Sequence, residues 1–228
     1  MTVLVLLLLI PLLGAGLVVL AGRVSANAAR VSALMTLVVE LALAIALAFD
    51  TAVHPVSVTQ AWIPSFGVSF ALEADWLSAL LVVLTALLAV ASVLVSWKEI
   101  TERVSSFHVL LLFLIPGVNL VFLARDMMLF YLGWELMLIP MLFLIGGWGT
   151  GRKEYAATKF VLFTFGGSIF MLVSLLYVYV KYASQNGGTY SFLFSDLLRT
   201  KLDATEQWWV FLGPVSYTHL TLPTIYSV

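Results

Sequence analysis

The chain has 228 residues, 62% of them hydrophobic and only 10% charged, with a formal net charge of −1 and no cysteine. A soluble surface uses roughly a quarter charged residues, so this composition describes a polytopic membrane protein. The near-neutral balance argues against nucleic acid as a partner. Without cysteine there is no disulfide framework, no thiolate-held iron–sulfur cluster and no thiol catalysis. His54, His108 and His219 are scattered without metal-ligand spacing, and the glycine pairs at 146–147, 166–167 and 187–188 lack the flanks of a nucleotide-binding loop.

The first apolar run, residues 3–21, contains Pro11 and Gly14 and lacks both a basic start and a small-residue cleavage site. It reads as a retained spanning helix rather than a signal peptide. Arg23 and Arg30 follow in a short loop, and a second span is expected over about 28–49. Its carboxylate, Glu40, stands without polar company and is expected to pair with a neighbouring helix, as a weaker site candidate. Residues 50–74 change character: VSVTQAW and VSFALE alternate with period two around IPSFG, which predicts an external β-hairpin over 55–74. Two strands alone are marginal, so the hairpin is expected to lean on neighbouring helices or another subunit.

Further spans are expected over 76–97, with a tryptophan at each end as interfacial anchors, over 107–123 with Pro116-Gly117 at its centre, and over 127–148. The last is the most informative. About 20 apolar residues suffice to cross a hydrocarbon core, and this run holds a single ionisable group, Glu135. A carboxylate there costs a few kcal/mol and is expected to face protein or water, which makes it a functional-site candidate. Pro140, five residues on, has no N–H for the carbonyl of Leu136 and opens the helix ladder beside Glu135. The plainer reading is a protonated Glu acting as interhelical glue.

The sixth span is expected over 155–182, with small residues at 166–168 for close helix approach and Lys159 about one turn in, near enough to snorkel to headgroups. SDLLRTKLDATE, over 195–206, reads as a short surface helix. An apolar run restarts at Trp208 and breaks off too early to cross. From Pro214 onward the chain is Thr-rich, with no apolar face of either period, so it is expected to be mobile. It reads as a non-native, read-through tail of a truncated frame, 214–228. Loop charges favour an external N-terminus: Arg23, Arg30, Lys98, Arg103, Arg152 and Lys153 then lie inside, against Arg125, Lys181, Arg199 and Lys201 outside.

Three segments carry a resemblance: WIPSFGVSFALEADWLS, FLARDMMLFYLGWELMLIPMLFLIGGWG and RKEYAATKFVLFTFGGSIFMLV. They resemble the antiporter-like subunits of respiratory complex I, above all the chain M (mitochondrial subunit 4) branch. The similarity runs over about residues 1–213, specific at WELMLIPM and AATKF and generic in the first two helices. It implies an all-α fragment, about six helices of a fourteen-helix proton-translocating membrane subunit. Such a subunit holds no redox centre; NADH, quinone, FMN and iron–sulfur clusters belong to the parent complex. The implied partners are other membrane-arm subunits, the lipid bilayer and protons, and the implied location is a bacterial inner membrane. Glu135 matches the family's fifth-helix glutamate, a proton relay; Lys159 matches a sixth-helix lysine of possible relay function; Pro140 matches the proline that follows the glutamate. The hairpin matches one that helps connect neighbouring subunits. The family's seventh-helix lysine has no counterpart here. Other readings are a subunit of a cation/proton antiporter or membrane-bound hydrogenase of the same fold, and a non-transporting structural bundle.

Overall fold

A computed structural model describes the backbone of residues 2–225 and the side chains of residues 3–215. Among the described residues, six helices are long and apolar enough to cross a membrane: α1 (Thr2–Gly22), α2 (Ala26–Thr51), α3 (Trp76–Glu99), α4 (Val104–Leu123), α5 (Met127–Trp148) and α6 (Lys153–Gln185). Each matches an expected span in place and order. In hydrocarbon only helices satisfy their own backbone groups locally, and the polar residues between the runs cap the ends. The Ser25 hydroxyl accepts from Ala28 N at 3.0 Å to start α2. Asp75 and Ser78 form a reciprocal capping box at the start of α3. Leu13, Leu17, Met35 and Leu88 are more than half exposed, the pattern of side chains whose solvent is lipid.

The chain divides into two compact units. The first comprises the chain up to Val58, Leu72–Ala124 and Leu132–Leu144. Here α1 packs on α2 and α4, and α2 also packs on α3. Small residues let the helices approach: Ala15, Ala29, Ala33 and Ala89 are buried among Leu37 and Leu112. Arg30, expected in a loop, lies instead in the first turns of α2 and is buried. Its guanidinium donates to Asn27 Oδ1 at 2.7 Å and to the Ile100 carbonyl at 2.9 Å. The helix starts early because Ser25 caps it, and those acceptors compensate the buried charge.

The second unit comprises Thr59–Ala71, Arg125–Tyr131 and the chain from Ile145. The hairpin is present as β1 (Val56–Ile63) and β2 (Val68–Ala74), joined by a 3-10 turn at Pro64–Phe66 and by Gly67 at φ 67°. Only glycine suits that corner, because a Cβ there would also lie 2.1 Å from the Tyr190 carbonyl oxygen. The part of the hairpin within this unit, Thr59–Ala71, does lean on the rest of it. Arg125 N donates to the Ala71 carbonyl at 2.8 Å, Phe192 N to Gly67 O at 3.1 Å and Met127 N to Phe192 O at 2.8 Å. Tyr179 closes the arrangement, stacking on Phe192 at 4.0 Å and donating to the Phe66 carbonyl at 2.9 Å.

Two expectations fail in the C-terminal part. The stretch 195–206 is not one surface helix: α7 covers only Phe194–Leu197, and α8 (Ala204–Ile225) starts afresh. Asp203 and Glu206 explain the restart, exchanging backbone-to-carboxylate hydrogen bonds of 2.9 and 2.8 Å as a capping box. Lys181 and Tyr177 also donate to Glu206. The lysine's hydrogen bond above all, then the tyrosine's and the Asp203 N–H, hold that carboxyl down at about 2. Second, the stretch 214–228 was expected to be mobile for want of an apolar face of either period, yet its backbone continues as helix to Ile225. Once a cap has nucleated the helix, each added residue gains one backbone hydrogen bond, which the side-chain pattern does not reveal. Residues 226–228 lie outside the described part.

Candidate proton-handling site

Glu135 is the ninth residue of α5, about 12 Å along a 22-residue helix at 1.5 Å per residue. Its position is set from both directions. At the N-terminus, the fully buried Asp126 accepts from Met128 N at 2.9 Å and Leu129 N at 3.2 Å through Oδ1, and from Ser69 N at 2.8 Å through Oδ2. Burial pushes this carboxyl's proton affinity up, and the three N–H donors only partly offset that. One carboxylate thus caps α5 and ties it to β2.

Farther along, α4 and α5 cross at two glycines. A Cβ on Gly133 would lie 2.6 Å from Leu120 Cβ and 3.1 Å from the Gly117 carbonyl, and one on Gly117 would lie 3.1 Å from the Gly133 carbonyl. Nothing larger than hydrogen fits, so the two backbones fix the depth of Glu135, two residues on. Gly133→Val is therefore expected to separate α4 from α5 and abolish stable insertion. The check is the yield of folded protein by fluorescence size exclusion, which Gly16→Val should leave unchanged, since nothing lies within 4 Å of a Cβ there.

Glu135 is half-buried, and its Oε1 atom is fully buried without a hydrogen-bond partner among the described residues. Pro140 is buried within the same continuous helix. It leaves the Leu136 carbonyl without an intrahelical donor, a free acceptor one residue from the carboxyl. Glu135 falls in the first unit and Lys159 in the second. Since α6 begins at Lys153, Lys159 sits about 9 Å into the helix rather than one turn in. It is half-buried, with Nζ 5.9 Å from the centroid of the Tyr155 ring, at the edge of cation–π range.

The family model described as NADH:quinone oxidoreductase/Mrp antiporter, TM, matches residues 124–215. NADH-quinone oxidoreductase subunit M of Pseudomonas aeruginosa is 42% identical over 182 residues, which is 73% of this chain and 35% of its own length. Over residues 124–215 the chain is similar to this antiporter-like membrane family. A chain of respiratory complex I from Thermus thermophilus with bound NADH superposes with a TM-score of 0.73 at 28% identity, covering 92% of this chain and 42% of that one. A chain of the Mrp complex from Dietzia sp. gives a TM-score of 0.77 at 17% identity over 95% of this chain and 23% of its own, a likeness of fold. The chain spans about a third of the length of the curated relative it matches.

The matched stretch contains Asp126, Glu135, Pro140 and Lys159, whereas Glu40 lies outside it. Glu40 has the polar company that the sequence did not show. It is completely buried in the first unit and accepts from Asn119 Nδ2 at 2.9 Å. Asn119 escaped sequence reading, although an amide inside the apolar run of α4 is itself a signal. Asp126 has no signature of its role in the local sequence, because that role depends on Ser69, 57 positions earlier.

Proposed function

We propose that this chain is part of a proton-translocating membrane subunit of NADH:quinone oxidoreductase, in which Glu135 takes up and releases the transported proton. The observation that supports this most is a lone carboxyl deep in an apolar helix, its Oε1 buried and without a hydrogen-bond partner among the described residues, beside the carbonyl that Pro140 frees. The similarity to a subunit M at 42% identity supports complex I over an antiporter of the same fold. In this reading electron transfer from NADH to quinone occurs in other subunits, which hold the FMN and iron–sulfur clusters, and this chain contributes proton chemistry alone. Its partners are the other membrane-arm subunits, in a bacterial inner membrane with the N-terminus outside. The deciding experiment is proton translocation by the intact assembly carrying Glu135→Gln.

Such a step needs a titrating carboxyl, a path for its proton and a means of shifting its proton affinity. A carboxyl's proton affinity rises with burial and falls when a cation approaches, and each tenfold change in that affinity is worth about 1.4 kcal/mol. The Leu136 carbonyl is an acceptor for a water that passes the proton on. Lys159 is the second candidate relay group, on the resemblance of the AATKF segment alone. Lys159→Gln is then expected to lower translocation severalfold while Lys159→Arg keeps most of it, measured in the assembled complex. Equal activity of both variants would show a lysine that only snorkels.

A further inference from the structure

Glu40 and Asn119 form a second polar site in the membrane, unrelated to Glu135. Glu40 on α2 is 0% exposed and Asn119 on α4 is 1% exposed. The Asn119 amide nitrogen donates twice, to Glu40 Oε1 at 2.9 Å and to the Leu7 carbonyl of α1 at 2.9 Å. Three helices thus meet at one amide, whose two hydrogens are both used. Two oxygens remain over: Glu40 Oε2 and Asn119 Oδ1 are both buried and have no partner among the described residues. Buried polar atoms are rarely left so, and two orphaned acceptors at one node lack the same thing, a hydrogen.

Among the described residues of the unit, no cation is placed to balance an ionised Glu40. On α1 there is no ionisable residue at all. On α2 the nearest are Arg30 and Asp50, each ten positions or about 15 Å away. On α3 the only ones are Lys98 and Glu99, at its far end. On α4 the only one is His108, eleven positions or about 16 Å before Asn119. Glu135 faces elsewhere. Gly117 and Gly133 mark where α4 meets α5, and Asn119 and Glu135 are each two residues on, rotated about 200° from that contact. A carboxylate so placed would be an unpaired buried charge, which neutralises instead.

We propose that Glu40, Asn119 and the Leu7 carbonyl form a second intramembrane proton-binding site, with the proton resident on Glu40 Oε2. That proton turns Oε2 into a donor, and the acceptor left over is Asn119 Oδ1, on the same amide that already serves Oε1. The pair becomes a carboxylic acid facing an amide with complementary donors and acceptors, and it clasps α1, α2 and α4.

The test is infrared difference spectroscopy on the intact assembly in lipid at pH 8, where exposed carboxyls are ionised. Subtracting Glu40→Gln from the native spectrum is expected to reveal one carbonyl band of a neutral carboxylic acid. Asn119→Leu is expected to move that band to higher frequency as its hydrogen bonds are lost. Glu40→Asp, which keeps the carboxyl group, serves if the Gln variant does not assemble; it should shift the band rather than remove it. Loss of carboxylate bands instead of an acid band, or a band indifferent to Asn119→Leu, would overturn the proposal. Because the readout needs no translocation, it stands or falls independently of Glu135.

Discussion

An assembly carrying Glu135→Gln is expected to insert and assemble as the native protein does, while its proton translocation falls by on the order of 100-fold, the usual worth of a positioned proton-transfer group. Gln matches Glu in size and hydrogen-bonding reach but cannot titrate. The substitution breaks no hydrogen bond at Oε1, which has no partner among the described residues. A stability defect is therefore not expected to obscure the transport defect. Glu135→Asp, which retains the proton and shortens the reach by one methylene, should keep part of the activity. The measurement is proton uptake into vesicles, normalised to assembled complex. The same pair separates transport from mere interhelical glue. A glue residue is replaced by Gln with little loss, since an amide bridges helices as well as a neutral acid does. Native rates from an assembled Gln variant would remove Glu135 from the proton path.

What the sequence disclosed and what it hid follow from range. The six spans and the hairpin were legible because each rests on a local pattern: an apolar run long enough to cross, or a period-two alternation around Pro64 and Gly67. Glu135 was legible as a candidate because a single carboxyl in such a run is conspicuous without any neighbour. Arg30 was misplaced because one hydroxyl, Ser25, decides where α2 starts. The break between α7 and α8 was missed because the cap formed by Asp203 and Glu206 resembles ordinary surface charge. Glu40 was undervalued for a different reason. Its partner Asn119 is 79 positions away, and the Leu7 carbonyl that fixes Asn119 is a backbone atom with no signature in sequence. Resemblance supplied the expected roles of Glu135 and Lys159, but not the glycine crossing that sets the depth of one, nor the two extra residues of helix before the other.

Asp126 is expected to show a large effect on stability, graded by substitution. Asp126→Ala leaves three backbone N–H groups without an acceptor: Ser69, Met128 and Leu129. A lost N-cap alone costs about 1 kcal/mol, and a hydrogen bond to a charged acceptor about 1.5–3, so a total of about 3 kcal/mol or more is expected. Asp126→Asn splits the role. Its carbonyl still caps Met128 and Leu129, but its amide turns hydrogens toward Ser69 N–H, so the tie between α5 and β2 is lost while the cap survives. Thermal unfolding in detergent should therefore rank native above Asn above Ala. The gap between native and Asn should also depend on pH. Burial raises the Asp126 carboxyl above its ordinary 3.8 in the folded chain, more than the three N–H donors lower it. The folded state then binds the proton more tightly than the unfolded state. The carboxyl's contribution is greatest below the unfolded value and declines as pH rises through the folded one. The stability gap over Asn should accordingly be widest in acid and narrow toward neutral pH. A gap that widens with pH would mean that the N–H donors outweigh burial, and an Ala variant as stable as Asn would mean that the cap contributes nothing.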